Sequence, residues 1–376
     1  MKKYFQSYPF FLLFLLLPFA CVKPYEPPQI AGPNDYLVVE GTINCNPDGI
    51  TTIALSHSRA LNDTVINKPE SNAMVMIESE SGSTYPLNTI GNGLYVSDKL
   101  MLSPNEKYRL RIILQGNKNY LSDLVPVVQT TTLDSLHWVE RDKTVFIYAD
   151  AHDPQNNTRN YRWDYNETWE YRAWFESFLV FNNGVVNFRD SADLTYRCWA
   201  EESGNKLLLH TTEQLSEDRV KDFLVTTLPS ASTKLQEKYS IEVNQTGLTR
   251  EAYDYWKILQ RNTEQLGSIF DAQPSQLRGN IKNTADPDEP VIGYVNAATI
   301  TSYRIFIRRE QIKDRIQLVS NCITITTTQD SAAHYLSDPR LAPAYYVSGG
   351  GITLSTVDCV DCRLKGGTTN KPAYWE

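Results

Sequence analysis

Residues 108–114 alternate between apolar and charged side chains, and this pattern constrains the fold more than any other feature of the sequence. Tyr108, Leu110, Ile112 and Leu114 share one face, whereas Arg109 and Arg111 lie on the other. A period of two is typical of a strand that buries one face in an antiparallel sheet. Short apolar runs at 36–43, 51–57, 73–77 and 120–127, separated by turn clusters such as 46–49, extend the pattern. The sequence therefore predicts a mainly β protein.

The residues just before this strand favour a particular kind of β domain. Leu102, Ser103 and Pro104 precede Tyr108 at the spacing of a tyrosine corner, in which a phenol hydroxyl bonds to backbone a few residues upstream. A single core stops growing at about 250–300 residues, so a chain of 376 residues is expected to form two domains. We predict an N-terminal immunoglobulin- or fibronectin type III-like β-sandwich over 34–128 and a larger β-rich domain over 129–376.

One segment of the second domain has the periodicity of a helix. Its apolar residues stand at i, i+3, i+4 and i+7 and are Ala252, Tyr255, Trp256 and Leu259. Thr249 is a suitable N-cap, and Gly267 suits the C-terminal stop. We predict one α-helix, at about 249–266, packed against a sheet of the larger domain.

Composition excludes several classes of protein. Apolar residues make up 41% of the chain and the mean hydropathy is -0.39, which excludes extensive disorder and a multi-span membrane protein. The net charge of -8 and the lack of a basic stripe argue against a nucleic-acid partner.

No motif for catalysis, a metal or a cofactor stands out, so we predict none of these. The five histidines are scattered along the sequence. The run from Asp150 to Asp153 contains His152 and could form a metal or acid–base cluster, but the following Pro154–Asn157 favours a solvated turn.

The N-terminus carries the signals of export and lipid anchoring. Lys2 and Lys3 precede an apolar run at 10–19, which ends at Ala20 and Cys21 like a bacterial lipobox. We predict a signal peptide over 1–20, acylation of Cys21 and a tether over 21–33, which contains four prolines. The alternative is an ordinary signal peptide with Cys21 there by chance.

Five cysteines remain if Cys21 is acylated, and this odd number leaves at least one thiol unpaired. Cys359 and Cys362 form a C-x-x-C motif, which is compatible with a redox dithiol, half a zinc site or structural disulfides. We favour structural disulfides among Cys198, Cys322, Cys359 and Cys362, with the connectivity open. Cys45, alone in a turn-like segment, is the candidate free thiol.

Residues 161–181 contain nine aromatic side chains, the densest aromatic cluster in the chain. Tyr161, Trp163 and Tyr165 alternate as on one strand face, and we expect Trp163 in the core and Tyr165 in a more open position. Farther along, the alternation degrades, which favours a loop or loose hairpin with exposed rings. The candidate ligand or partner surface consists of Trp169, Tyr171, Trp174, Phe175, Phe178 and Phe181.

Five stretches carry a resemblance to a known family. They are VVEGTI (38–43), EKYSIEVNQTGLTREAYDYWKILQ (237–260), GSIFDAQPSQLRGNI (267–281), VIGYVNAA (291–298) and CVDCRLKGGTTNKPAYWE (359–376). Together they resemble the Bacteroidota lipoproteins grouped as domain of unknown function 4249, or DUF4249. The resemblance implies a lipoprotein often encoded beside a TonB-dependent outer-membrane transporter, and it supplies no catalytic residues.

The expected function follows from the anchor and the resemblance. We expect an outer-membrane lipoprotein, held in the bilayer through Cys21, that captures a glycan or peptide ligand for a TonB-dependent transporter in nutrient uptake. Which face of the membrane it occupies is left open. The alternatives are a structural or adhesive envelope protein without a small ligand, and a glycan or peptide hydrolase.

Overall fold

A computed structural model describes residues 35–58, 68–264, 278–315, 317 and 319–375. The predicted signal peptide, Cys21 and the predicted tether lie outside these residues. Neither α-helix of the described part is long and apolar enough to cross a bilayer.

The described chain is mainly β, as predicted, with 23 strands and two α-helices. The first eight strands are β1 (Leu37–Asn44), β2 (Thr52–His57), β3 (Met74–Ser79), β4 (Thr84–Gly91), β5 (Leu94–Ser97), β6 (Lys107–Ile113), β7 (Asn119–Ser122) and β8 (Val125–Val128). They are followed by β9 (Leu133–Arg141), β10 (Thr144–Asp153), β11 (Asn160–Arg172), β12 (Leu179–Asn182), β13 (Val185–Phe188), β14 (Arg197–Ser203), β15 (Leu208–Thr211), β16 (Asp218–Pro229) and β17 (Lys238–Leu248). The remaining strands are β18 (Ile281–Asn283), β19 (Asn296–Ala298), β20 (Ile300–Arg308), β21 (Thr324–Thr328), β22 (Leu341–Val347) and β23 (Gly351–Thr356). The helices are α1 (Arg250–Glu264) and α2 (Gln329–Tyr335).

The first sheet has ten strands in the order β18-β7-β6-β3-β4-β5-β2-β1-β19-β8. Because β8 also pairs with β6, eight of these strands close into a barrel-like arrangement. Its interior is filled by the alternating residues of β6, since Tyr108, Leu110 and Ile112 are buried. The tyrosine corner is confirmed, because the Tyr108 hydroxyl donates to the Ser103 carbonyl at 3.1 Å.

Residues that follow α1 complete this first unit. β19 inserts between β1 and β8, and Ile281, Val291 and Val295 are buried in the same core as the first strands. Gly293 allows the close approach, because it has a φ of +144° and a Cβ there would lie 2.2 Å from the Val39 carbonyl oxygen. The unit is thus built from two separate stretches of sequence, whereas the strand pattern indicated only 34–128.

The second unit contains two sheets, β16-β10-β9 and β14-β11-β17-β20, with β15 paired to β11. Their facing side chains share one core, to which β11 contributes Tyr161, Trp163 and Tyr165. Ile147 comes from β10 of the facing sheet, and Tyr239 comes from β17, the strand beside β11. The most aromatic strand of the sequence therefore lies at the centre of this unit.

Helix α1 confirms the predicted helix. The Thr249 hydroxyl caps it by accepting from the Ala252 N–H at 3.2 Å, and Ala252, Tyr255 and Trp256 are buried against β15 and the end of β17. The predicted stop at Gly267 lies outside the described residues. The short helix α2 was not predicted, because seven residues that bury only Ala332 give no helical apolar stripe.

A third, smaller layer lies near the C-terminus. β21, β23 and β22 form one sheet, and β12 and β13 form a separate two-stranded hairpin. Leu179 of the hairpin packs with Leu336, Ile352 and Leu354 in a small core. The hairpin therefore packs one face on this sheet, and Phe188, which pairs with Leu179, shares that face.

Candidate functional site

The aromatic residues of 161–181 fall into two groups, and the end of β11 separates them. Within the strand, Tyr161 and Trp163 are fully buried, and the Trp163 indole stacks 4.3 Å from the Phe223 ring, centroid to centroid. The Trp163 Nε1–H donates to Gln245 Oε1 at 2.8 Å. The expected core position of Trp163 is confirmed, whereas Tyr165, expected to be more open, is also buried.

Two of the six candidate surface residues belong to this buried strand. Tyr171 is only 5% exposed, packs beside the Cys198–Cys362 disulfide and donates its hydroxyl to the Cys362 carbonyl at 3.0 Å. Its prediction as a surface residue is wrong, because β11 extends to Arg172 and the C-terminal segment around Cys362 covers the ring. Trp169 is half-buried, with the Lys234 ammonium 4.8 Å from its ring centroid.

The other four candidates follow β11 and are more open. Trp174 is 44% exposed and Phe178 is 50% exposed, whereas Phe175 and Phe181 are half-buried. The backbone holds Trp174 from both sides, because the Ala173 N–H donates to the Tyr196 carbonyl and the Phe175 N–H to the Cys359 carbonyl. These bonds measure 2.8 and 2.9 Å, so the exposed indole sits on a fixed backbone.

The four predicted cysteines form two disulfides around this segment. Cys198 bonds to Cys362 and Cys322 to Cys359, with Cα separations of 5.7 and 5.9 Å. The two cysteines of the C-x-x-C motif thus have different partners, so the motif is neither a redox dithiol nor half a zinc site here. Both bonds fasten the C-terminal segment, one to β14 and one to the chain before β21.

Cys45 is free, as predicted, and the structure shows that it is buried. Its Sγ lies 3.6 Å from the Ile43 carbonyl oxygen. Burial raises the pKa of Cys45 to about 12, so the thiol is protonated and unreactive at neutral pH.

A cleft of about 580 Å³ opens beside Trp174, and we call it the Trp174 cleft. The residues that line it include Arg172, Tyr196, Gln236, Glu237 and Asn321. Arg172 is fixed there, because its guanidinium donates to Glu237 Oε1 at 2.5 Å and to the Tyr196 hydroxyl at 3.2 Å. The cleft therefore combines an exposed aromatic ring with rigidly held polar groups.

A second feature is a set of exposed apolar side chains on the hairpin and β22. It consists of Phe178, Val185, Phe188, Tyr345 and Tyr346, and we call it the hairpin surface. Their exposed fractions range from 39% for Tyr346 to 74% for Phe188. The rings of Phe188 and Tyr346 lie 6.1 Å apart, centroid to centroid, which joins the hairpin to β22. The sequence indicated only Phe178, because residues 185–188 and 345–346 meet through a tertiary contact that no local pattern records.

One group of side chains in the described residues could hold a metal ion. Ligand atoms of His137, Asp150 and Asp222 lie within 4.8 Å of one another on β9, β10 and β16. Asp150 already accepts from the Ser135 hydroxyl and the Asp222 N–H, both at 2.7 Å. The two imidazole nitrogens of His137 contact different carboxylates, at 3.5 Å for Asp150 and 3.2 Å for Asp222. This arrangement suits an imidazole hydrogen-bonded between two acids.

The other residues of the run after Asp150 do not join that group. His152 contacts Asp134 at 2.6 Å, on the neighbouring strand. Asp153 accepts from the backbone N–H groups of Gln155, Asn157 and Thr158 at 2.8–2.9 Å, which is the predicted turn. Burial by itself would raise the pKa of Asp153, but these donors outweigh it and lower that pKa.

A smaller cleft of about 330 Å³ contains several carboxylates. Lys234 lies 2.6 Å from both Glu167 and Glu202, and the Tyr239 hydroxyl donates to Glu167 at 2.7 Å. Because one ammonium group bridges both carboxylates and favours their charged forms, the pair is poorly suited to the acid–base roles of a glycosidase.

Comparison with known proteins supplies the family. No curated protein matches the chain. Among solved structures, a two-domain fibronectin type III segment of chicken tenascin is 12% identical over 57% of this chain and 91% of that chain, with a TM-score of 0.16. Escherichia coli alpha-2-macroglobulin activated by porcine elastase is 10% identical over 58% of this chain and 19% of that chain, with a TM-score of 0.20. Residues 22–304 match the family described as "Domain of unknown function (DUF4249)". Because this match spans most of the sequence, the chain belongs to the DUF4249 family.

Proposed function

We propose that this chain is an outer-membrane lipoprotein that serves as an accessory, ligand-capturing partner of a TonB-dependent transporter. The observation that carries the proposal is the hairpin surface. Monomeric proteins rarely expose contiguous large apolar patches, and those that do commonly use them to bind another protein. Phe188 is 74% exposed and its ring lies 6.1 Å from that of Tyr346, centroid to centroid, so a partner could bury both rings together.

The hairpin surface is also held in a fixed shape. The Ser177 hydroxyl donates to the Pro343 carbonyl at 2.7 Å, which ties the start of the hairpin to β22. Arg189 closes the other end, because its backbone N–H donates to the Phe178 carbonyl and its Nε–H to the Leu179 carbonyl. A surface that needs no reordering loses less entropy when it binds a partner.

The membrane location rests on the sequence and on the cysteines. Two disulfides favour an oxidising compartment, in agreement with the predicted signal peptide. The lipoprotein and Bacteroidota assignments stay predictions from the resemblance and from Cys21. With a net charge of -8 the chain is not attracted to an anionic surface, so the acyl chains would supply the anchoring.

The test is capture of the lipoprotein from detergent-solubilised outer membranes. We expect the full chain to bring down a large barrel protein, and the double variant Phe188→Ser with Tyr346→Ser to lose it. Tyr303→Ser is the matched control, because Tyr303 is 41% exposed on β20, outside the hairpin surface. Recovery of the lipoprotein without a barrel protein would contradict the proposal, and recovery of another envelope protein instead would favour the structural or adhesive alternative.

A further inference from the structure

We propose that the Trp174 cleft binds a neutral oligosaccharide, with one sugar ring stacked on the Trp174 indole. This inference rests on the proposed function, since it names the class of ligand that the lipoprotein would capture. It concerns a different surface from the one proposed for the transporter. The two proposals can therefore fail separately.

The first argument is the fixed exposure of Trp174. A tryptophan ring is normally among the most buried side chains, yet this one is 44% exposed at the edge of a cleft of about 580 Å³. That volume lies in the usual range for ligand sites. The backbone bonds of Ala173 and Phe175 reach segments that the two disulfides hold, so the ring is presented before any ligand arrives.

The second argument is the chemistry around the ring. Gln236 and Asn321 border the cleft, and each side-chain amide offers two N–H donors and one acceptor oxygen. Glu237 adds a carboxylate that Arg172 holds in place at 2.5 Å. Sugar hydroxyls both donate and accept hydrogen bonds, so they match amides and an oriented carboxylate, while the apolar face of the sugar ring matches the indole.

The third argument is the charge balance. The basic groups that line the cleft are Arg172 and Lys365, and the acidic groups are Glu237 and Asp358. These charges cancel, so the cleft does not attract a polyanion or a polycation over long range. A neutral ligand fits this balance better than an acidic glycan does.

The experiment titrates the full chain with maltohexaose, cellohexaose and xylohexaose, followed by calorimetry and tryptophan fluorescence. Trigalacturonic acid is the acidic comparison, and an acetylated, amidated tetra-alanine is the peptide comparison. We expect at least one neutral hexasaccharide to bind and Trp174→Ala to weaken that binding roughly tenfold or more, as for an interface hot spot. Phe188→Ala, on the hairpin surface, is the control and should bind the sugar like the unmodified chain.

Trp174→Phe separates stacking from folding, because it keeps an aromatic ring on the same backbone. It should retain part of the calorimetric signal and lose the sugar-induced change in fluorescence. Failure of all three hexasaccharides to bind at millimolar concentration would overturn the inference, as would binding of the peptide or the acidic sugar alone. Unchanged sugar affinity in a folded Trp174→Ala chain would also overturn it, whatever the result of the membrane capture.

Discussion

The aromatic residues of β11 and those that follow it differ in environment although they adjoin in sequence. Tyr161, Trp163 and Tyr171 are buried, whereas Trp174, just beyond the strand, is 44% exposed. β11 is paired along both edges, by β17 on one side and by β14 and β15 on the other. The comparison teaches that strand pairing, rather than aromatic content, decides which rings belong to the core.

The two regions also differ in how well their faces are covered by the rest of the protein. One face of β11 lies in the core between two sheets, and Tyr374 and Trp375 cover part of the other. The hairpin β12–β13 has two strands only and packs on the third layer through Leu179. Val185, on the other face, and Phe188, on the packed face, both stay exposed, and exposed apolar groups of this kind are expected at a binding surface.

The sharpest test exchanges one tryptophan in each region for alanine. Trp163→Ala should lower the free energy of unfolding by about 3–5 kcal/mol, because it empties a buried site and removes the donor to Gln245. Trp174→Ala should lower it by less, because 44% of that side chain is already in contact with water. Urea unfolding followed by circular dichroism measures the free energy of unfolding of each variant. Equal losses in the two variants would contradict the difference between the two regions.

The two disulfides near the end of β11 should also differ in how much they stabilise the protein. Removing the buried Cys198–Cys362 bond by alanine substitutions should cost about 2–5 kcal/mol of unfolding free energy. The matched double variant at Cys322 and Cys359 should lose roughly 1 kcal/mol less, because those residues are 37 apart in sequence rather than 164. Thermal unfolding of both variants without reducing agent gives the order of their stabilities. A larger loss of stability on removing Cys322–Cys359 would contradict the loop-closure account.

Alkaline pH should destabilise the protein through the buried tyrosines of β11. Burial raises the pKa of Tyr161, and its hydrogen bond to the buried Asp218 carboxylate raises it further. The stability from the neutral phenol is therefore complete below the unfolded pKa of about 10 and is lost as pH rises toward the folded value. Tyr161→Phe should cost about 1–3 kcal/mol at neutral pH, because Asp218 loses a donor.

The same variant should lose less stability above pH 10 than the unmodified chain does. Urea unfolding at neutral and alkaline pH, with the phenolate absorbance recorded in parallel, measures this difference. Parallel pH profiles for the two chains would show that Tyr161 does not carry the effect.

The smallest effect on stability is expected at the hairpin surface. Phe188→Ala should change the free energy of unfolding by no more than about 0.5 kcal/mol, because that ring is 74% exposed. Its effect should appear in the recovery of the transporter instead. A large loss of stability would place Phe188 with the core aromatics and would remove the main support for the proposed function.

Local patterns predicted the parts of the fold that depend on neighbouring residues. The Tyr108 corner and the Thr249 cap each join residues no more than five apart, so their spacing is visible in the sequence. The Trp163 face was predictable for the same reason, because alternation is local. Tyr171 was misplaced because its aromatic neighbours beyond β11 suggested a surface, whereas its burial comes from Cys362, 191 residues away.

The candidate sites were less predictable because they are assembled from distant segments. The Trp174 cleft joins Arg172 to Asn321, and the hairpin surface joins Phe188 to Tyr346. Cysteine counting identified the four paired cysteines but not their connectivity, which depends on how the C-terminal segment crosses the second unit. In each case the residues themselves carry no periodic signal that would place them together.

The inserted strand β19 has a consequence for the order of folding. Because Asn296–Ala298 pair with both β1 and β8, the first barrel cannot close until nearly 300 residues have been synthesised. Until then β1 and β8 retain open edges, which can pair with other chains. A fragment that ends at residue 128 should therefore aggregate, and the N-terminal unit, the first to be synthesised, should be among the last to finish folding.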